Sequence, residues 1–339
     1  MPSLLPTMVI PEKYLIWPTV EPWHTRTSAT HPVRLLSSSF MASLASDPPL
    51  RSSPPCSSRR SPSHHADPAG WGFSSPRPSS MGYTQALASD MTELINHLHP
   101  NSPDLRIYIA GGSYGSIPAQ MLYGAPFDAF PLGRNIVGCL LAAPFSPFKW
   151  HGDYTKSMTW SNYVSIGPLA RMLPFQPLQR IAVVGLSLKL NTVDKAETFI
   201  RQLLFDDASE EERAAFARWR ESRGLEEGVF ERQMATNMVK SISKSWAGFI
   251  EIADVAHSDW GFRPDRLDDA HTTGRPMIIA ASADDDLGPD MANWLKANYR
   301  NSKLKWVPGK HLSTLYEIDN LWAELLENEP AASPVVGLQ

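Results

Sequence analysis

Arg106-Ile107-Tyr108-Ile109-Ala110-Gly111-Gly112-Ser113-Tyr114-Gly115 reads as a short buried strand running into a G-x-S-x-G turn. Ile117, Met121 and Leu122 follow at helical spacing, so the serine stands where a strand turns abruptly into a helix over about 115–123. A tight turn at that point pushes the Ser113 Oγ out above the sheet. The amide of the next residue, Tyr114, is then placed to receive developing negative charge. Gly111 and Gly115 fall where strand and helix cross closely, and Gly112 is expected to add backbone freedom ahead of the strained position. The pentapeptide alone is a weak signal, because glycine and serine are common in turns. The elements on either side give it weight.

Working outward, Leu87, Met91, Leu94, Ile95 and Leu98 recur at helical spacing, and Pro100 helps to end that helix. Ile136 to Ala142 is an apolar strand closed by Ala143-Pro144. Helix, strand, helix, strand with short joins predicts an α/β fold with a parallel sheet covered on both faces. Residues 145–275 break this rhythm. They hold Trp150, Trp160, Trp219, Trp246 and Trp260, a helix expected over 193–205, and a capping box at Ser209 and Glu212 opening a helix that Gly224 stops. Ile181-Ala182-Val183-Val184 is the one strand-like run in this insertion, which otherwise reads as mainly helical. The alternation resumes with a strand at 277–281, a helix at 290–299, a strand at 304–307 and a last helix at 313–326.

The first 80 residues have a different character. Fourteen of the 30 prolines fall there among serine clusters, and such a composition buries little apolar surface. Tyr14-Leu15-Ile16-Trp17 is the strand candidate in this region, Phe40 to Ala45 could form one helical turn, and much of 18–66 reads as loosely packed. The 339 residues therefore divide into an irregular stretch over 1–66, a first core segment over 67–144, a helical cap over 145–275, a second core segment over 276–328 and a tail over 329–339. A formal net charge of -4, with no concentration of base, argues against a nucleic-acid partner. Cys139 lies in an apolar run and Cys56 in the proline-rich region, a pattern that suits free thiols better than a disulfide. No run approaches the ~20 apolar residues that span a bilayer. The first residues lack a basic segment ahead of an apolar one, so the cytoplasm is the expected location. No H-E-x-x-H is present and His64-His65 is too short a cluster to suggest a metal site, so no cofactor or metal is expected.

A nucleophilic serine needs a base and an acid to orient it. Of the ten histidines, His311 alone follows a C-terminal core strand, in Trp306-Val307-Pro308-Gly309-Lys310-His311. Asp284, Asp285 and Asp286 follow the strand at 277–281 directly, and one of them is the candidate acid, with Asp290 more distant.

The order serine, acid, histidine resembles the α/β-hydrolase superfamily. Gly111-Gly112-Ser113-Tyr114-Gly115 resembles its nucleophile elbow, and Gly309-Lys310-His311 its histidine loop. Ser282-Ala283-Asp284-Asp285-Asp286-Leu287-Gly288-Pro289 is similar to its G-x-x-D segment ending in proline, with serine for the usual glycine, and this alignment selects Asp285. Asp67-Pro68-Ala69-Gly70-Trp71-Gly72-Phe73-Ser74 resembles its D-x-R-G-x-G-x-S loop, with Ala69 where arginine is usual. The resemblance covers about 67–328. It implies a mostly parallel sheet flanked by helices, a cap between the sixth and seventh strands, Ser113, Asp285 and His311 as the catalytic residues, and the Tyr114 N–H in the oxyanion hole. The chain departs upstream, where 57–66 offers no apolar run for a central strand and no His-Gly pair follows a third strand. The N-terminal strands are therefore expected to be incomplete. If Tyr14 to Trp17 is that third strand, a second oxyanion donor would come from the loop beginning at Pro18. The implied activity is hydrolysis of a carboxylic ester or related acyl bond of a small apolar substrate through an acyl-enzyme. An aminopeptidase similar to proline iminopeptidases is the alternative, with Glu210, Glu211, Glu212, Glu226 and Glu227 available to hold a substrate amine. A binding module or impaired homologue that keeps the elbow is a further one.

Overall fold

The computed structural model describes residues 33–37, 63–100, 102, 105–172, 176–206 and 208–327. In chain order these form β1 (Val33–Ser37), β2 (Ser63–Ala66), α1 (Tyr83–Leu98), β3 (Ile107–Gly112), α2 (Ser116–Gly124), β4 (Ile136–Ala142), α3 (Trp160–Ser165), α4 (Pro168–Met172), α5 (Pro177–Lys189) and α6 (Val193–Leu204). Then come α7 (Glu210–Ser222), α8 (Val229–Ile242), α9 (Ala247–His257), α10 (Asp269–Thr272), β5 (Met277–Ala281), α11 (Pro289–Asn298), β6 (Ser302–Trp306), α12 (Ser313–Tyr316) and α13 (Ile318–Glu327).

The six strands form one parallel sheet in the order β2-β1-β3-β4-β5-β6. The side chains of β3, β4 and β5 alternate with a period of two, as a sheet covered on both sides requires. Ile107, Ile109, Cys139, Leu141, Met277 and Ile279 face one core with Leu87, Met91 and Ile95 of α1, Ile117 and Met121 of α2, and Met291 and Leu295 of α11. Tyr108, Ala110, Leu140, Ile278 and Ala280 face the other, against Leu321, Trp322 and Leu325 of α13. The chain runs from β1 outward to β2 and then returns to the opposite side of β1 as β3. The crevice beyond the carboxyl ends of β1 and β3 is therefore a topological switch point, where open α/β sheets bind ligands.

Helices α3 to α10 lie between β4 and β5 and form the inserted cap. Phe216, Trp219, Phe230, Met234 and Met238 build a second core there, which also takes in Leu312 and Leu315 from the chain after β6. A parallel sheet covered by helices on both faces, with a helical cap inserted after β4, is consistent with the α/β-hydrolase fold.

Several expectations change. Ser63–Ala66 does form a strand, but a polar one that ends the sheet among the described residues, where no apolar run is needed on both faces. Val33–Ser37 takes the position between β2 and β3, so this strand was missed inside a stretch that reads as loosely packed. Tyr14 to Trp17, Phe40 to Ala45, Cys56 and the tail over 329–339 lie outside the described residues. Ile181 to Val184 is helical, as part of α5, because it is flanked by Pro177 at the first helical position and bonds within a helix rather than to a strand. The last helix divides at Glu317 into α12 and α13.

Candidate active site

Ser113 directly follows β3 and opens a single 3-10 turn, Ser113–Gly115, that leads into α2. Its φ is +49°, a left-handed conformation that costs a residue with a Cβ about 1–2 kcal/mol. Strain of this kind survives only where the surroundings impose it. Gly111 supplies part of the constraint: a Cβ there would overlap the carbonyl oxygen of Gly115, so the turn closes only around glycine. Gly112, by contrast, is ordinary extended backbone at φ -108°, and its expected conformational freedom is not used.

A buried polar network holds the turn from behind. Ser116 Oγ donates to the Ser113 carbonyl at 2.6 Å and accepts from the Phe145 amide at 2.9 Å. Gln120 Nε2 donates to the Phe145 carbonyl at 2.8 Å, and Tyr299 donates to Gln120 Oε1 at 3.3 Å. The elbow is thereby tied to the chain leaving β4. The Tyr114 ring packs inward on Trp71, with centroids 5.9 Å apart, and burial pushes its phenol well above the usual tyrosine range. The Tyr114 amide is one of the first N–H groups of the turn and helix, which lack intrahelical partners.

His311 and Asp285 are brought together from separate loops. His311 Nδ1 lies 2.7 Å from Asp285 Oδ2. Because a carboxylate only accepts, Nδ1 carries the proton and Nε2 is left as the basic nitrogen. Asp285 Oδ1 accepts from the Leu287 amide at 3.0 Å, so both carboxylate oxygens are engaged. Asp284 and Asp286 have no such contact with His311. Among the described residues no hydrogen bond joins the Ser113 hydroxyl to His311, whereas His311 and Asp285 are paired. Catalytic hydrogen bonds of this kind often close only with substrate present.

The histidine loop is gripped from two sides. Ser282, the residue that departs from the usual glycine, donates its Oγ to the Gly309 carbonyl and accepts from the Asp284 amide at 3.2 Å. Glu212 accepts from the Lys310 amide through Oε1 and from the Ser209 amide through Oε2 at 2.9 Å. The C=O and N–H of one peptide group, Gly309–Lys310, are thus held by the acid loop and by the cap. Gly309 has φ +100°, and a Cβ there would press on Ser313 and Glu212, so glycine is needed for the close approach.

The loop at Asp67 braces the other side. Ser74 Oγ donates to the Asp67 carbonyl at 2.7 Å, the Gly72 amide to Ser241 at the end of α8 at 2.7 Å, and the Gly248 amide of α9 to Gly70 at 3.0 Å. On the carboxyl side of β4, Phe148 stacks on Tyr154 at 4.0 Å and meets Phe145 and His257 edge-on. The aromatic residues of the insertion divide between cores and surface. Phe145 and Phe148 join the sheet core and Trp219 the cap core, whereas Trp160 is exposed and stacks on Tyr163.

Ser116, Gln120, Ser282 and the Lys310 contact of Glu212 were not singled out from the sequence for these roles. The serine in place of glycine at 282 was the one visible signal among them. Among the described residues, no group of three or more His, Cys, Asp or Glu side chains could hold a metal ion, and no helix is long and apolar enough to cross a membrane. The loop beginning at Pro18, expected to supply a second oxyanion donor, lies outside the described residues.

No protein-family model matches the sequence, and no curated protein does. Among solved structures the chain is similar to a hydrolase from Pseudomonas aeruginosa PA01, at 19% identity and a TM-score of 0.48, over 89% of this chain and 91% of that one. It is also similar to a carboxylesterase of Nitrososphaera gargenis, at 12% identity and 0.49, over 88% and 90%. A third is the enol-lactonase from Burkholderia xenovorans LB400, at 14% identity and 0.43, over 88% and 90%.

Proposed function

We propose that the protein is a serine hydrolase that cleaves a carboxylic ester or related acyl bond of a small apolar substrate. The observation that carries this reading is the strained Ser113, at φ +49° on the strand-to-helix turn at the switch point of the sheet. The His311–Asp285 pair supports it.

In this reading His311 Nε2 takes the Ser113 proton as Oγ attacks the carbonyl carbon, and the carbonyl electron pair moves onto oxygen near the Tyr114 amide. Asp285 holds the imidazolium through Nδ1–H. The tetrahedral adduct collapses, His311 gives its proton to the leaving oxygen, and the acyl group stays on Ser113. Water, deprotonated by His311, then attacks the ester and returns the serine and a carboxylic acid.

The aminopeptidase alternative has less support. Glu210, Glu211, Glu226 and Glu227 are exposed, and Glu212 is committed to Ser209 and Lys310. The test is turnover of short p-nitrophenyl acyl esters against aminoacyl naphthylamides by the wild type and Ser113→Ala. Ester turnover with an initial burst, lost in the variant, is expected. Turnover that survives in the variant, or a profile confined to naphthylamides, contradicts the proposal.

A further inference from the structure

Asp285 opens a tight turn. The Gly288 amide donates to its carbonyl at 2.8 Å and the Leu287 amide to its Oδ1 at 3.0 Å. The next carbonyl, that of Asp286, is held by the cap instead. It accepts twice, from the Thr159 amide at 3.3 Å and from Asn162 Nδ2 at 3.2 Å. A carbonyl oxygen has two lone pairs, and the cap supplies a donor for each. Thr159 is the N-cap of α3, with its Oγ1 accepting from the Asn162 amide at 3.4 Å, so the capping turn fixes the two donors relative to each other. Gly288 lets the loop approach, since a Cβ there would strike Ser157, two residues before Thr159. Helix α3 has no buried residue, so apolar burial does not explain why its first turn lies on the acid loop.

The base is held in a matching way. Glu212 of α7 accepts from the Lys310 amide, one residue before His311, as the Asp286 carbonyl lies one residue after Asp285. Acid and base are each flanked by a peptide group bound to the cap, from two different helices. A shift of α3 against α7 would therefore change the 2.7 Å contact between Asp285 Oδ2 and His311 Nδ1. We infer that Asn162 is a positioning residue: acting through the Asp286 carbonyl, it lets the cap set the acid against the base. The inference rests on the reading of Ser113, Asp285 and His311 as one catalytic set. A single amide–carbonyl bond near the surface adds little net stability. Misplacing a catalytic group by about 1 Å, by contrast, costs on the order of 10² in rate. The effect of Asn162 therefore belongs mainly in kcat.

Two readouts on the full chain separate this inference from the hydrolase reading. One is kcat and KM for short p-nitrophenyl esters. The other is the far-downfield proton resonance of His311 Nδ1–H, assigned by its loss in His311→Gln, which needs no turnover. In Asn162→Ala, kcat is expected to fall roughly five- to tenfold with KM within about twofold, and the Nδ1 proton to shift or exchange faster. Asn162→Asp cannot donate to a carbonyl and is expected to do the same. An acid suits the first turn of a helix, so this variant keeps the test open if Asn162→Ala fails to fold, which its thermal transition reports. Asn162→Gln keeps the donor and is expected to recover part of both readouts. A folded Asn162→Ala or Asn162→Asp with wild-type kcat and resonance overturns the inference, as does a loss of stability alone. If the wild type turns over no ester but its resonance moves in both variants, the inference stands and the hydrolase reading fails. A wild type with neither turnover nor the resonance overturns both.

Discussion

Ser113 is asked to hold a backbone conformation that its Cβ resists, and this separates its chemical role from its structural one. Replacement by alanine removes the hydroxyl and keeps the strain, while glycine removes both. Ser113→Gly is therefore expected to unfold at a higher denaturant concentration than Ser113→Ala, by about 1 kcal/mol, with both inactive. Equal midpoints would mean that the turn is relaxed in solution. Asp285 makes a sharper chemical prediction. In Asp285→Asn the amide can still accept from Leu287, but its NH2 favours the wrong imidazole tautomer. The expected loss is about 10⁴ in kcat with the fold retained, measured by ester turnover and thermal melting. Ser113, Asp285 and His311 were legible as candidates because each sits at a strand end with a recognisable neighbourhood. Ser116 and Gln120 were not, because their role is a contact with Phe145, 29 and 25 residues away, and no spacing encodes it.

At the scale of elements, the strands with continuous apolar runs, β3, β4 and β5, were readable because burial on both faces demands such runs. Edge positions make no such demand, so Ser63–Ala66 was invisible as a strand, and Val33–Ser37 was masked by the prolines and serines around it. The run Ile181 to Val184 misled for the opposite reason. Its β-branched residues look like a buried strand, and they lie instead on an exposed helix face. The capping box at Ser209 and Glu212 was read correctly, yet its larger consequence is the grip of Glu212 on the Lys310 amide. Glu212→Ala is expected to lose about 1 kcal/mol of stability through the cap and to lower kcat more than it raises KM, because the histidine loop loses its hold. Glu212→Gln, which keeps one acceptor, is expected to recover part of kcat. A variant that loses stability alone would confine Glu212 to helix capping.

At the scale of the whole molecule, three histidines among the described residues respond to burial in the same direction. Burial lowers the imidazole pKa of His99, His151 and His257 below the ordinary 6.5. The unfolded chain therefore binds more protons than the folded one once pH falls below about 6.5, and stability decreases from there down through the lowered folded values. The thermal midpoint is expected to drop between pH 7 and pH 5. The drop should be shallower in His257→Gln, whose amide can still donate to the Ile166 carbonyl but does not titrate. An unchanged slope would remove His257 from the account. At the same scale the cap is more than a cover. It shares Leu312 and Leu315 with the histidine loop and meets the Asp67 loop at Ser241 and Gly248, so the site stands between two packed bodies.

The central claim is that the strained serine is a nucleophile activated by the His311–Asp285 pair. An alkyl fluorophosphonate probe tests it most directly, with the adduct mapped by mass spectrometry on folded protein. Expected is one adduct, on Ser113, absent from Ser113→Ala and formed far more slowly in His311→Ala. A well-folded wild type that stays unlabelled, or that carries the probe elsewhere, would contradict it and leave the chain as a binding module on a hydrolase fold.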